Sequence, residues 1–453
     1  MTLPDAFDAV RVVRTEGVTV DGIVLGKYLS RAKFERALPL GPAITDLSFA
    51  FDVAGTPQFG WWDDWRQPAL GDIHQRPDLE TLVLVPNREA TAACIVDFVT
   101  VRGEPLPVCP RSTLKRVVER LGSHGLGAKA AFEIEGMLFR EDIAEARSKG
   151  FRDLTPLGVP KPLAYLTQDA YVIHPFFDEV TRRLEKMGIE WDAWSAEGAP
   201  GQFELNLPAA DPVAAADRTV RARIVMREVA ADLGLSLTFM AKPSEAYGNG
   251  MHIHHSVHRD GTPAFYDDAA SDHRSTLMKH WIGGLITTMP AAHSFLTPTI
   301  NSYRRMVGFA AAPLVVSWDE ENKSTALRVI SRSPGLARVE HRVGAGDLNP
   351  YLALAAILAG GIVGIEQAID PPEPLPIMAW GLPDDYPHLP SSITASADAL
   401  EADKSLADVM GPSIVDHWAQ SRRWEWLMFH TTGGDAEATS VTDWELDRYF
   451  ELV

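Results

Sequence analysis

Apolar and polar positions fall into two regimes along the chain. Up to about residue 108, apolar residues alternate with polar ones in short runs closed by turn signals. Val18-Thr19-Val20-Asp21-Gly22-Ile23-Val24-Leu25 is one such run, and Leu47-Ser48-Phe49-Ala50-Phe51-Asp52-Val53 before Ala54-Gly55-Thr56-Pro57 is another. A period of two predicts strands and hairpins of a small sheet domain. Pro105, Pro107 and Pro110 then fall close together. They suit neither a helix interior nor a central strand, so a domain boundary is expected there, dividing residues 1–108 from 109–453.

Beyond the boundary the helical period takes over. Leu114, Val117, Val118 and Leu121 recur at i, i+3, i+4 and i+7, with Ser112 placed to cap the helix and Gly122 to stop it. Asp211-Pro212 opens a second helix that runs through Val213, Val220, Ile224 and Ala231 to Gly234. Asn349-Pro350 opens a third, apolar on nearly every side to about Gln367 and so expected in the core. Residues 370–390 carry seven prolines and predict an extended loop. The stretch 392–453 predicts helices, with Trp418, Trp424, Trp426 and Trp444 as packing anchors. Strand-like pieces lie between these helices, so the body is expected to be mixed α+β.

Four of those pieces put chemistry on one face. In Ala131-Phe132-Glu133-Ile134-Glu135 the glutamates share a face and the apolar residues take the other. In Gly201-Gln202-Phe203-Glu204-Leu205-Asn206-Leu207 the polar face is Gln202, Glu204 and Asn206. His252 and His254 share a face of Gly250-Met251-His252-Ile253-His254, and Arg338, Glu340 and Arg342 share one of Arg338-Val339-Glu340-His341-Arg342. A polar strand face is commonly just the solvated side of a sheet. Four such faces in one sheet would crowd carboxylates that repel one another. Divalent cations relieve that, and oxygen ligands with one or two imidazoles suit Mg²⁺ or Mn²⁺. Arg305, Arg328, Arg338 and Arg342 lie in or beside the same segments, and guanidinium forks fit carboxylate or phosphate oxygens. Acid, metal and arginine together compose a phosphoryl-transfer site, without a Gly-Lys-Ser phosphate loop, a dinucleotide fingerprint or a kinase signature.

Charge narrows the partners. Lys plus Arg number 42 against 61 Asp plus Glu, a net charge of −19. So acidic a surface repels nucleic acid and anionic membrane. The longest apolar run, residues 352–365, is 14 long with three glycines, short of the ~20 a bilayer requires. Two cysteines and an N-terminus without a signal-like pattern fit a reducing, cytoplasmic setting.

In order along the chain, these residues resemble the glutamine synthetase family, in its γ-glutamyl-amine and γ-glutamyl-polyamine ligase branch. The matching elements are Phe132-Glu133-Ile134-Glu135, Glu197-Gly198-Ala199-Pro200-Gly201-Gln202-Phe203-Glu204 and Gly248-Asn249-Gly250-Met251-His252-Ile253-His254. Asn301-Ser302-Tyr303-Arg304-Arg305, Asn322-Lys323-Ser324-Thr325-Ala326-Leu327-Arg328, the Arg338–Arg342 run and Asn349-Pro350-Tyr351 follow. Val20-Asp21-Gly22 to Gly26-Lys27 and the closing Thr442-Asp443-Trp444-Glu445 extend the likeness to nearly the whole chain.

The resemblance implies an N-terminal β-grasp-like domain, a large catalytic α+β domain, and a homo-oligomer of two stacked hexameric rings. Each active site would lie between one subunit's catalytic domain and its neighbour's N-terminal domain. It implies two ions per site, one on Glu135, Glu197 and Glu204 and the other on Glu133, His252 and Glu340. Gly248 would meet the glutamate amino group, Arg305 the α-carboxylate and Arg342 the reacting γ-carboxylate. Lys323, Arg328 and Arg338 would face the ATP phosphates, with His254 and Ser256 near the nucleotide. Arg305, Arg328 and Arg342 would be the catalytic arginines. The implied reaction joins glutamate to an amine through a γ-glutamyl phosphate.

The chain departs from that pattern in places. Where glutamine synthetases carry a flap Val-Pro-Gly-Tyr-Glu-Ala-Pro, this chain reads Val307-Gly308-Phe309-Ala310-Ala311-Ala312-Pro313, and Ala311 replaces the glutamate that serves ammonium. The family's Asp-Gly-Ser-Ser ammonium element is absent, the nearest segment being Phe59-Gly60-Trp61-Trp62-Asp63-Asp64-Trp65. A larger, less polar amine is therefore expected, lined by Phe309 and one or more of Trp61, Trp62 and Trp65, unless those tryptophans serve the core or a subunit interface. Lys323 replaces an arginine, and Tyr247 replaces an asparagine beside the glutamate site. The tyrosine that some bacterial members adenylylate has no counterpart in 370–390, so that control is not expected. Ordinary ammonia-using glutamine synthetase, a non-catalytic ring paralogue and a guanidino-compound phosphotransferase are the alternatives. The six acid and imidazole ligands argue against the paralogue, and the N-terminal domain against the phosphotransferase.

Overall fold

The structure is a computed structural model that describes residues 7–58, 70–161, 163–245, 248–307, 312–380, 382, 386–435 and 437–453. Its N-terminal part is a sheet of seven strands. The path runs Val24–Leu25, Val12–Val18, Thr91–Val99, Asp72–Pro77, Ala43–Thr45. Tyr28–Ser30 adds to Val12–Val18, and Val83–Leu84 to Thr91–Val99. Val12–Val18 and Thr91–Val99 run parallel, with Val13 opposite Ala92. Val10, Val13, Phe34, Leu82, Ala92 and Cys94 form a small core of their own here.

Of the two expected runs, one forms as a hairpin and the other is built differently. Residues 18–25 hold a hairpin, with Val18 opposite Val24 and Gly22 turning at φ +80°. The run from Leu47 is not a strand. Asp46–Phe49 is one 3-10 turn capped by the Thr45 side chain, and Asp52 Oδ1 then accepts from the Ala54 and Thr56 amides. Short oxygen side chains that bond the local backbone favour turns over ladders, and that preference outweighs the alternation.

The three expected helices are present. The first is Pro110–Ser123, beginning before Ser112, because Pro110 at the first position has no amide hydrogen to leave unpaired. Pro212–Asp232 follows Asp211, whose carboxylate bonds Lys129 instead of capping. Pro350–Gln367 is capped by the Asn349 side chain on the Tyr351 and Leu352 amides. Its composition would suit a membrane, but 83% of it is buried inside the protein. It packs on Thr276–Leu296, where a Cβ at Gly284 would meet the Gly360 carbonyl oxygen at 2.2 Å.

The tail holds Ile393–Ala402, Lys404–Met410, Pro412–Thr431 and Asp443–Tyr449. Trp418 is fully buried, Trp424 and Trp444 are partly buried, and Trp424 Nε1 donates to Asp52 at 3.0 Å. Trp426 is exposed and anchors nothing in the core, since the helix turns that position outward.

The catalytic body is organised by a nine-stranded sheet. Its order is Trp318–Glu320, Leu327–Ile330, Arg338–His341, Met251–Arg259, Gly127–Phe139, Gln202–Asn206, Ala193–Ala196. The four chemistry-bearing segments are thus consecutive neighbours. Gly127–Phe139 buries Ala128, Ala130, Phe132 and Ile134 against the core, which turns Glu133 and Glu135 to the other face.

Candidate active site

Strand register lines the polar residues up across the sheet. His252 stands opposite Glu133, Asn206 opposite Glu133 on the other edge, and Glu204 opposite Glu135. His254 stands opposite Glu340, which in turn faces Arg328. A residue's place in the band follows from the two-residue period and the pairing alone.

Glu133 lies between two imidazoles, 3.0 Å from His252 Nδ1 and 2.9 Å from His254 Nε2. Glu340 is almost wholly buried and is held by Arg328 Nη1 at 2.9 Å and by Arg342. Glu135 accepts from the Gly250 amide at 2.7 Å and from Gln202 Nε2 at 3.1 Å. Arg338 Nε lies 3.2 Å from His254 Nδ1, and Ser256 Oγ bonds His258. Arg305 Nη1 donates to the Val343 carbonyl at 3.1 Å.

The band opens on two adjoining cavities. The larger, about 630 Å³, is lined by Glu197, Gly248, Arg305, Lys323 and Arg342 among others. The smaller, about 270 Å³, is lined by His254, Ser256, Arg338 and Lys129. Glu133 and Asn206 belong to both walls. Every expected metal-, substrate- and nucleotide-site residue among the described residues therefore borders this pair of cavities.

The acids do not titrate alike. Burial pushes Glu197 up to about 7, with Glu135 and Glu133 adding repulsion. Burial likewise raises Glu204, and the nearby Glu133, Glu135 and Glu197 raise it further. Burial would raise Glu133 as well, but hydrogen bonds from His252 and His254 outweigh it and hold it below the usual carboxylate range. Glu340 is also lowered, because Arg342 and the two histidines outweigh its burial.

Such a cluster fits a divalent cation that prefers oxygen. Glu133, Glu204 and His252 form one set of possible ligands, and Glu133, His254 and Glu340 another, each with its donor atoms within 4.8 Å of one another. Carboxylate oxygens with a single imidazole suit a divalent cation, and no thiolate stands among them. The sets differ from the expected grouping. Glu133 serves both, and His254 joins one. Gly250 and Gln202 both donate to Glu135 Oε2, and Glu135 and Glu197 belong to neither set.

Some residues of the site carry no signal in the sequence. Tyr165 and Trp380 line the larger cavity, and Glu321 pairs with Arg328. Trp380 lies in the proline-rich loop, which Asn322 fastens through the Leu375 and Ile377 carbonyls at 3.1 and 3.0 Å. No local periodicity marks such a residue, although the prolines mark the loop. Trp61, Trp62, Trp65, Tyr247, Phe309 and Ala311 lie outside the described residues.

Residues 107–449 match the family model described as glutamine synthetase, catalytic domain. A glutamate–isopropylamine ligase of Pseudomonas sp is 30% identical over 455 residues, covering 97% of this chain and 95% of that protein. A gamma-glutamylethanolamide synthetase, GlnA4, of Streptomyces coelicolor is 33% identical over 382 residues, covering 84% of this chain and 79% of that one. Enzymes named glutamine synthetase match at comparable identity. Among solved structures, one described as apo GmaS without ligand superposes with a TM-score of 0.81 at 27% identity, covering 96% of each chain.

Proposed function

The chain belongs to the glutamine synthetase family, and we propose that it is an ATP-dependent ligase joining the γ-carboxylate of glutamate to an organic amine. The observation that carries this reading is the band of glutamates and histidines, flanked by arginines, between two adjoining cavities. Relatives that act on isopropylamine and ethanolamine, by their names, support an amine larger than ammonia.

The division of labour is the one that the family resemblance implies. Arg305 holds the α-carboxylate of glutamate beside Gly248, and Arg342 orients the γ-carboxylate. Lys323, Arg328 and Arg338 meet the phosphates of ATP, while His254 and Ser256 border the nucleotide in the smaller cavity. Glu133, Glu135, Glu197, Glu204, His252 and Glu340 would hold two Mg²⁺ or Mn²⁺ ions, which supply positive charge against the phosphate oxygens. A carboxylate is a poor electrophile, so its oxygen first takes the terminal phosphoryl group of ATP, releasing ADP. The amine lone pair then attacks the acyl carbon, phosphate leaves, and the nitrogen gives up a proton to form the amide. Arg328 and Arg342 offset negative charge as it develops, and the buried setting shields the acyl phosphate from water.

The test is phosphate release from ATP and Mg²⁺ with glutamate and a panel of amines, each product identified by mass. Release that needs all four components supports the reading, and release indifferent to the amine refutes it. The alternative, ordinary glutamine synthetase, is favoured by relatives of that name and opposed by Ala311. Ala311→Glu should raise the rate with ammonium relative to the best organic amine, and an unchanged ratio would count against the flap argument.

The same reading gives a homo-oligomer of two stacked hexamers, checked by light scattering, and a cytoplasmic protein whose two cysteines are buried and free. We place the domain division at residues 103–110, between the strand Thr91–Val99 and the helix Pro110–Ser123.

A further inference from the structure

The helix Ile300–Arg305 has only six residues, too few to be stable by itself. Its last residue is Arg305, which forms part of the wall of the larger cavity. What fixes so short an element decides where that guanidinium sits. One clamp is Asp347, which accepts from Thr299 Oγ1 at 2.7 Å and Ser302 Oγ at 2.9 Å at the start of the helix.

The other clamp comes from the far end of the chain. Glu445, on the tail helix Asp443–Tyr449, is fully buried. Its Oε1 accepts from Asn301 Nδ2 at 3.0 Å, and its Oε2 lies 3.3 Å from Arg304 Nη2. Thr442 holds that carboxylate from behind, its amide at 3.0 Å and its hydroxyl at 2.8 Å from Oε2. Asn301 also pairs with the Lys242 backbone, accepting at 2.7 Å and donating at 2.9 Å. The preceding Ala241 carbonyl accepts from the Asn249 amide at 2.8 Å, and a Cβ at Gly248 would meet that oxygen at 2.2 Å and Arg305 Cγ at 3.1 Å. One buried carboxylate thus ties together the element that carries Arg305 and, through Asn301, the Ala241–Lys242 backbone that packs against Gly248.

We propose that Glu445 is a positioning residue that sets Arg305 and Gly248 for the acid substrate and leaves the nucleotide side untouched. Among the described residues, none of its hydrogen bonds or ion pairs reaches His254, Ser256 or Arg338. The inference rests on the reading that Arg305 holds the α-carboxylate of that substrate. Removing the carboxylate leaves the Arg304 guanidinium and the Asn301 amide short of a buried acceptor, and the short helix shifts.

The experiment compares Glu445→Gln, Glu445→Ala and Arg305→Gln in the full chain, with Asp443→Ala as a control on the exposed end of the same tail helix. KM for glutamate and KM for ATP are measured together with melting temperature. Since small misplacements of a binding group are costly, Glu445→Gln should raise KM for glutamate about tenfold and Glu445→Ala further, with KM for ATP within about twofold. Asp443→Ala should change neither. A lower melting temperature with both KM values unchanged, or with both raised alike, means a merely structural role and overturns the proposal. If Arg305→Gln raises KM for glutamate and Glu445→Gln does not, the proposal falls and the reading of Arg305 stands. If Arg305→Gln leaves that KM unchanged, both fall. Should the Glu445 variants not fold, Arg304→Gln removes one arm of the clamp and must give the same glutamate-specific rise in smaller measure. A normal KM for glutamate in Arg304→Gln overturns the proposal.

Discussion

Glu133 and Glu340 carry the sharpest consequences of single side chains. Glu133 belongs to both candidate ligand sets, and Glu340 joins one of them to Arg328 and Arg342. Glu133→Ala and Glu340→Ala should each cut ATP-dependent phosphate release by at least about 100-fold. The melting rise that Mg²⁺ gives the parent protein should shrink with them, as calorimetry would show. Glu197 and Glu204 set a pH dependence. Unfolded, Glu197 and Glu204 lose their protons near 4.5. Folded and metal-free, they keep them to about 7 for Glu197 and to a raised value for Glu204. Between those limits the folded state binds more protons, so its stability falls as pH rises. Glu133 and Glu340 are lowered, and the stability they contribute is lost only as pH falls below 4.5. The metal-chelated protein should therefore melt at lower temperature at pH 8 than at pH 6, and the stabilisation by Mg²⁺ should be larger at pH 8. A melting temperature independent of pH across this range would remove the assignment of repelling acids.

At the scale of elements, alternation was reliable where a strand is buried on one face. Phe132 and Ile134 go to the core and Glu133 and Glu135 to the cavity because Gly127–Phe139 is a central strand. It failed at Leu47, where Thr45 and Asp52 bond the local backbone and make turns. Elements also meet closely at Gly250. A Cβ there would lie 2.8 Å from Arg305 Nη2 and 3.1 Å from Glu135 Oε1. Gly250→Ala should then fold, because the arginine end is flexible, yet raise KM for glutamate at least about tenfold by displacing that guanidinium. A wild-type KM would show that Arg305 has room to spare.

The whole molecule is joined by a continuous apolar cluster that reaches from Val18 and Phe98 in the N-terminal sheet through Leu114 and Phe132 to Trp418. A buried ionic junction lies beside it. Arg111 meets Asp217 at 2.8 Å, Asp78 at 2.8 Å and Asp97 at 3.2 Å, and Asp217 also accepts from Tyr351. Arg111→Met would strand these carboxylates and should cost about 3–5 kcal/mol of stability, read from denaturant unfolding. A loss under about 1 kcal/mol would mean that Lys115 and water suffice. The sequence by itself determined the mixed α+β class, three of the long helices and the acids, imidazoles and arginines of the candidate site, because short-range periodicity and residue chemistry are local properties. Only the tertiary structure decided that the four strands are neighbours, that Glu133 lies in both candidate ligand sets, that Tyr165 and Trp380 line the larger cavity, and that Glu321 pairs with Arg328. It alone brought Glu445 against the helix of Arg305, since contacts between residues more than a hundred positions apart depend on strand register and packing, which no local pattern encodes.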